Sequence, residues 1–380
     1  MIKKKILIFI DWYLPGYKAG GPIQSIANLV EHLKNEFEFS IVTRDTDYCE
    51  TEPYKGIKSN EWNILHDGTR VYYFSADQLN RTGIRNIIRK ENFDCVYLNG
   101  IYSVYFTLYP LFFLRKKRNK RIVIATRGML SKGSLSVKSN KKSFFLRAAK
   151  VLRLFDKVLF HATTKPEKED IYQIFGKEIQ IKIAANLPQN TRNFIWKEKK
   201  KQPETLNLVN IARISPEKNL LFALKILQKI KAVVTFDIYG PIYHSAYWGQ
   251  CQALIKQMPP HIKVNYKDSL EPQKVLSELE NYHIMFMPST GENFGHVILQ
   301  SLSVGCPVII SDQTPWKHLK EKNIGWDISL HHPENFVKAI EQYSKMDQAE
   351  YNALSKSAFD FALNYSSNPE IIEHNKQLFV

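Results

Sequence analysis

No Gly-x-Gly occurs anywhere in the 380 residues. The fingerprint that brings a backbone close to a dinucleotide pyrophosphate is therefore missing, which argues against a dehydrogenase. The four cysteines, Cys49, Cys95, Cys251 and Cys306, form no Cys-x-x-Cys pair. That spacing argues against both a zinc site and a disulfide framework, and a reducing, cytoplasmic compartment fits. Long apolar runs are absent too. ILIFI (6–10) is five residues long and is ended by Asp11, so it reads as a buried first strand and not as a signal peptide. VYFTLYPLFFL (104–114) is too short to span a bilayer and contains Pro110. No transmembrane helix is expected. GMLSKGS (128–134) has the glycine spacing of a P-loop without the Lys after its second glycine.

Acidic residues are in deficit, 37 against 53 basic, which leaves a net charge of +16. That balance favours anionic partners: polyanions, anionic lipid surfaces or phosphorylated substrates. The basic residues gather at 115–121, 138–153 and 197–201. For any one cluster a solvated face is an equal alternative. A nucleic-acid partner would explain the charge but none of the motifs below, and none is expected.

The length suggests two or three domains. Short β-branched or aromatic runs alternate with helical patterns along the whole chain. The strand candidates are 4–10, 38–43, 70–74, 94–98, 121–126 and 157–162, then 206–211, 233–239, 262–266, 283–287 and 307–310. Helical periodicity separates them, as in 23–35 and 219–231. Strand–helix alternation of this kind builds parallel sheets covered on both faces. The expected class is α/β, with two doubly wound Rossmann-like domains: 1–187, a linker over 188–205, and 206–350. A helical segment, 351–380, is expected to pack back on the first domain. Open α/β sheets bind ligands at the carboxyl ends of their strands, so a cleft between the domains is the natural active site.

Four stretches carry chemistry. In YLPGYKAGGPIQSIANLVEHL (13–33), Gly20 and Gly21 let backbone approach a ligand, and the helix near Pro22 would aim N–H groups at an anion. A plain glycine turn explains the same residues equally well. In NIARISPEKNLLFALKIL (210–227), Arg213 and Lys218 stand five apart across a turn, where both cations could converge on a diphosphate. A lysine at a helix start is poorly placed against the macrodipole, so a bound anion is the more economical account. MPSTGENFGHVILQSLSVGCPVIISD (287–312) is the strongest signal. Glu292 lies at a strand end and a helix start; a simple cap would explain the acid but not the Glu-x-Phe-Gly arrangement. Lastly, His161 ends a strand of the first half and Arg127 follows one, Arg127 being the better partner for an anion there. His161 reads first as a packed polar residue and second as a base.

ENFGHVILQSLSVGCPVI, ARISPEKNL and AGGPIQSIANLVEHL, in their order and spacing, resemble the retaining glycosyltransferases of family 4, the group 1 glycosyltransferases of GT-B fold. RGML (127–130), HATTKPEKEDI (161–171) and SDQTPW (311–316) resemble a bacterial polysaccharide-synthesis branch of that family. The resemblance implies a nucleoside diphosphate sugar as co-substrate, a UDP-sugar being favoured and GDP-mannose the alternative, with no cofactor. It implies that Arg213 and Lys218 neutralise the diphosphate and that Glu292 contacts the sugar hydroxyls. Asn293, Phe294, Gly295 and His296 would then line the donor, and Gly20 and Gly21 would close on its diphosphate. An acceptor glycan or lipid-linked glycan would meet Tyr13, Asn99, Tyr102, Arg127 and His161.

Two departures stand out. Gln300 occupies the place of the motif's second acid, so ribose hydroxyls would lose charge-assisted bonding, about 1–2 kcal/mol. Arg127 stands where many relatives carry a histidine. A catalytically weakened nucleotide-sugar-binding protein is therefore the alternative. The two cations and the helix N–H groups would stabilise the leaving diphosphate, and no metal requirement is expected. The amphipathic basic helix around 141–154 suits two roles equally: lying on anionic lipid at the inner face of a bacterial plasma membrane, or completing the core of the first domain.

Overall fold

The computed structural model describes residues 3–115, 120–136, 139–190 and 194–380. Parts of the basic clusters (116–119 and 137–138) and of the linker (191–193) lie outside the described residues. The chain divides into two compact units, Met1–Asn190 with Asn368–Val380, and Thr191–Ser367.

The first unit is built on eight strands: β1 Lys4–Phe9, β2 Phe37–Arg44, β3 Trp62–Ile64, β4 Arg70–Phe74, β5 Cys95–Asn99, β6 Arg121–Ala125, β7 Leu159–Ala162 and β8 Gln180–Ile183. Their order in the sheet is β3-β4-β2-β1-β5-β6-β7-β8. Every pair is parallel except β3 with β4. In the centre, Ile8 stands level with Ile41 on one side and Tyr97 on the other. Alternate residues feed two cores. Leu7, Phe9, Val96, Leu98 and Ile124 fill one face, and Ile6, Ile8, Ile41, Tyr97 and Val123 the other. Burial on both faces is why β1 reads as an unbroken apolar run.

The second unit has six parallel strands: β9 Thr205–Ile211, β10 Val233–Tyr239, β11 Ile262–Tyr266, β12 Ile284–Met287, β13 Val308–Ser311 and β14 Gly325–Ile328. The order is β11-β10-β9-β12-β13-β14. Leu206, Leu208, Phe236 and Phe286 pack on one face, and Val209, Met285, Met287 and Ile310 on the other.

Both sheets are doubly wound. In the first the strand order reverses between β1 and β5, in the second between β9 and β12. At such a switch point the connections leave to opposite faces, and a crevice opens beyond the carboxyl ends of the strands.

Residues 194–205 belong to the second unit and are pinned to it. Trp196 Nε1 donates to Ser355 Oγ at 3.0 Å. Lys201, inside the KEKKK run, is buried, and its ammonium donates to the carbonyls of Ser344 at 2.7 Å and Gln202 at 2.8 Å. The C-terminal residues pack in the first unit: Phe379 lies edge-on to Phe37 at 5.3 Å, and Asn375 Nδ2 donates to the Ala185 carbonyl at 2.8 Å. The preceding helix, Gln348–Ser366, stays with the second unit.

Candidate active site

In the second unit the chemistry gathers at the β9/β12 switch point. After β9 the chain makes a short 3-10 turn, Pro216–Lys218, and Asn219 takes a left-handed φ of 58°. After β12 it runs through residues 288–295 to the helix His296–Ser303. The two loops are sewn together. Asn219 Nδ2 donates to the Pro288 carbonyl at 3.0 Å, and the Thr290 N–H to the Glu217 carbonyl at 2.9 Å. The Lys218 ammonium donates to Glu292 Oε1 at 2.5 Å. Their side chains are only 16% and 12% exposed, so the pair is largely withdrawn from water. Seventy-four positions separate the two in sequence, yet they form one ion pair.

Arg213 joins this group through a residue the sequence reading passed over. Its Nη2 lies 3.3 Å from Glu217 Oε1, and its guanidinium lies over the Tyr243 ring at 5.7 Å. Partial burial works against the Glu217 carboxylate. Its own N–H, with the charges of Arg213 and Lys218, outweighs that and holds its pKa below the usual carboxylate range. Glu217 thus stands as a resident carboxylate flanked by both cations expected to meet a diphosphate. Its position inside SPEKN was the available signal. Gly240, at the end of β10 with φ 142°, holds the Arg213 loop close: a Cβ there would lie 2.0 Å from the Ala212 carbonyl oxygen.

The remaining motif residues are arranged around an aromatic prop. Phe294 is buried, 5.3 Å from Trp316 and 4.7 Å from His296 between ring centroids, and its carbonyl accepts from Trp316 Nε1 at 2.5 Å. Phe294 therefore packs inward and offers a ligand only its backbone. Gly295 has φ 74°, a turn that admits glycine without strain, and serves as N-cap with no side-chain cap bond. Asn293, His296 and Gln300 are half-buried, and His296 and Gln300 share one face of the helix at i and i+4.

In the first unit the expected acceptor residues separate into two groups. Tyr13 is 0% exposed and sits among Ile23, Tyr73 and Tyr97 in the core, so no acceptor can reach it. His161 is 1% exposed. Its Nε2 lies 2.7 Å from the Ala184 carbonyl and its Nδ1 2.7 Å from the Tyr97 hydroxyl. A carbonyl only accepts, so Nε2 carries the proton and Nδ1 accepts from Tyr97. Burial first, and the charge of Arg127 second, push the imidazole pKa down to about 4. His161 is a neutral structural residue, and the base reading is withdrawn.

Arg127 and Asn99 do come together. Arg127 Nε donates to Asn99 Oδ1 at 2.8 Å, Nη2 to the Tyr97 hydroxyl at 2.9 Å, and Nη1 to Asn186 Oδ1. The turn that carries Arg127 is braced by Glu167, a buried carboxylate. It accepts from Thr126 Oγ1 (2.6 Å), the Gly128 N–H (2.6 Å), the Thr163 N–H (2.7 Å) and Thr163 Oγ1 (2.6 Å). Burial opposes its charge, but these four bonds prevail and lower its pKa. Tyr97, Asn186 and Glu167 were missed from sequence. Only Glu167 had a signal, the Thr-x-x-Glu spacing of a helix start, and its side chain braces a neighbouring strand end as well. Tyr102 is half-buried, edge-on to Phe145 at 5.5 Å, and its hydroxyl pKa is pushed up to about 12 by burial. Gly20 is exposed with φ 74°, and Gly21 opens the helix Gly21–Leu33.

One Asp-x-Asp triplet, Asp45–Thr46–Asp47, occurs in the chain. Both acids serve their own surroundings. Asp47 accepts from the N–H groups of Tyr17 (2.9 Å) and Lys18, and Asp45 from Ser59 Oγ at 2.6 Å. Among the described residues no group of three or more His, Cys, Asp or Glu side chains is placed to hold a metal ion.

Residues 191–361 match the family model of the glycosyl transferases group 1. The second unit is a group 1 glycosyltransferase domain. Solved structures of similar fold extend the likeness over the whole chain. Sucrose-phosphate synthase from Thermosynechococcus elongatus has a TM-score of 0.74 at 15% identity, with 99% of this chain and 98% of that one aligned. HepE of Anabaena, solved in complex with UDP and glucose, has a TM-score of 0.71 at 15% identity, with the same coverage. The fold is thus that of the GT-B glycosyltransferases. A UDP-N-acetylglucosamine–peptide N-acetylglucosaminyltransferase GtfA subunit from Streptococcus agalactiae is 22% identical over 154 residues. That match takes in 40% of this chain and 29% of the length of the relative. Within the glycosyltransferase domain, Arg213, Lys218, Glu292 and Gln300 all fall inside the matched range.

Proposed function

We propose that the chain transfers a glycosyl group from a nucleoside diphosphate sugar, a UDP-sugar before GDP-mannose, to a hydroxyl of a glycan or lipid-linked acceptor in surface polysaccharide synthesis. Anomeric configuration is retained and no metal is required. The observation that carries this reading is the withdrawn Lys218–Glu292 pair, with Arg213 beside it, at the switch point of the glycosyltransferase domain. The similarity to HepE, solved with UDP-glucose, favours uridine.

Positive charge builds on the sugar and negative charge on the departing diphosphate as the glycosidic bond lengthens. Fixed cations stabilise that departing charge best where water is scarce, because no solvent has to reorganise. Lys218 and Arg213 take that role. Glu292 orients the sugar through its hydroxyls, and the leaving phosphate itself accepts the acceptor's proton. Glycosidases need two carboxylates across the bond; here Glu292 is the one acid the motif supplies, since Gln300 stands at the second position.

A thermal-shift panel of nucleotide sugars tests this. A donor at a hundred times its Kd stabilises the folded chain by about 2.7 kcal/mol. We expect a UDP-sugar to raise Tm and Arg213→Ala to abolish most of the rise. No shift with any nucleotide sugar would remove the reading. The binding-only alternative, favoured by Gln300, predicts the same shift with no UDP released when acceptor is absent or present.

Membrane attachment is part of the proposal. No helix among the described residues is long and apolar enough to cross a membrane. The helix Ser139–Val151 sends Leu146 and Ala149 into the core, but Phe144 is 77% and Val151 81% exposed. Lys141, Arg147, Lys150 and Arg153 are exposed around them. Phe144→Ala is expected to weaken sedimentation with anionic liposomes, and salt to reverse binding of the wild type. Failure of the wild type to sediment at low salt would end the lipid assignment.

A further inference from the structure

Arg127 stands at a backbone position where glycine is the strain-free residue, with φ 52°. Among the described residues its guanidinium meets only neutral oxygens: those of Asn99, Asn186 and Tyr97. A guanidinium has five N–H groups, and these bonds use three, one on each nitrogen. One N–H on each Nη therefore stays available. The carboxylate that braces the same turn cannot take them, because both oxygens of Glu167 are already filled by Thr126, Gly128 and Thr163. His161, behind Tyr97, is neutral and buried. Both carboxamides turn their oxygens to Arg127, so their NH₂ ends face away from it. The carboxyl edge of β5, β6 and the segment after β8 thus presents a half-buried cation with two N–H groups left over and, among the described residues, no acid paired to it.

A planar fork of this kind, fixed from three sides before any ligand arrives, matches the two oxygens of a phosphate or a carboxylate. We propose that Arg127, held in place by the carboxamide oxygens of Asn99 and Asn186, binds an oxyanion carried by the acceptor. The acceptor is then an acidic sugar or a sugar phosphate, not a neutral glycan. Assigning the oxyanion to the acceptor rests on the glycosyl-transfer reading; the anion site does not.

The test uses the full chain with UDP saturating, so that donor groups are occupied. Glucose 6-phosphate, glucuronate, glucose and inorganic phosphate are titrated by calorimetry. At least one of the two charged sugars is expected to bind about tenfold or more tighter than glucose, as expected for a charge-assisted bond. Which of them does so tells phosphate from carboxylate. Arg127→Gly suits the observed φ and should fold; it is expected to bring the charged and neutral sugars to equal affinity. Arg127→Lys, which keeps the charge without the fork, is expected to retain part of the preference. A merely structural role would weaken all sugars alike and leave their ratio unchanged, which would overturn the proposal. So would equal binding of charged and neutral sugars by the wild type, or charged sugars that bind only by displacing UDP. If UDP itself fails to bind, the donor reading fails, while an Arg127-dependent preference for charged sugar would still uphold the anion site.

Discussion

Lys218→Ala and Glu292→Ala are each expected to lower turnover of the nucleotide sugar by about a hundredfold to a thousandfold, the range found when one preorganised charge-stabilising group is removed. The two variants fail for different reasons. Without Lys218 the leaving diphosphate loses a fixed cation, and the loss falls on kcat. Without Glu292 the sugar loses its orienting acceptor and Lys218 loses the partner that holds its ammonium 2.5 Å away. Stability should separate from activity. Each single variant strands one charge in a place only 12–16% exposed, at roughly 2–3 kcal/mol, somewhat less than the ~3–5 kcal/mol of a fully buried pair. The double variant strands neither, so its loss of stability should be smaller than the sum of the two single losses while its activity stays at the floor. Urea unfolding and initial rates on the four proteins of this cycle decide the matter. Near-wild-type rates in both single variants would remove the site.

How legible such a site is depends on how its residues are spread along the chain. In the glycosyltransferase domain the cations lie within six consecutive positions, and Glu292 with its turn within another short run. Each run sits where a strand ends and a helix begins, so periodicity alone places both at the carboxyl edge of a sheet. The strand order then makes β9 and β12 neighbours, and the pair closes. The first unit assembles its polar cluster from Tyr97, Asn99, Arg127, His161, Glu167 and Asn186. No local spacing marks that set, because its members meet only through the order β5-β6-β7-β8. Tyr13 was expected at the acceptor from the resemblance alone, and no spacing around it shows that the chain there turns the ring back into the core.

The strands not foreseen, β3, β8 and β14, are three or four residues long and lie at sheet edges. An edge strand has one neighbour and little apolar cover, so WNI, QIKI and GWDI carry no continuous apolar run. The central strands were legible because both their faces are buried. The basic run 197–201 shows the reverse error. Charge suggested a solvated linker, yet Lys201 satisfies its ammonium on backbone carbonyls inside the second unit, an arrangement that composition cannot announce.

Acidification should weaken the first unit, with His161 as the cause. In the fold its pKa is about 4, against 6.5 in the unfolded chain. The folded state therefore resists taking up the proton that the unfolded state accepts. Stability from this residue is complete above about pH 6.5 and is lost as pH falls toward 4, a change of about 3 kcal/mol. The structure gives the reason. A second proton would have to go on Nδ1, which already accepts from the Tyr97 hydroxyl, and Tyr97 itself accepts from Arg127. The new charge would be fully buried, with the Arg127 cation nearby; Glu167 opposes this only in part, its oxygens being held by other donors. His161→Gln keeps an N–H for the Ala184 carbonyl and cannot titrate. It should be less stable than the wild type at pH 7.5, and the difference in Tm should shrink as the pH is lowered to 4.5. His283, buried in the second unit with its pKa also depressed by burial, acts in the same direction but is common to both proteins and cancels. Parallel Tm curves for wild type and His161→Gln over that range would show that the buried relay from Arg127 through Tyr97 to His161 does not govern acid stability.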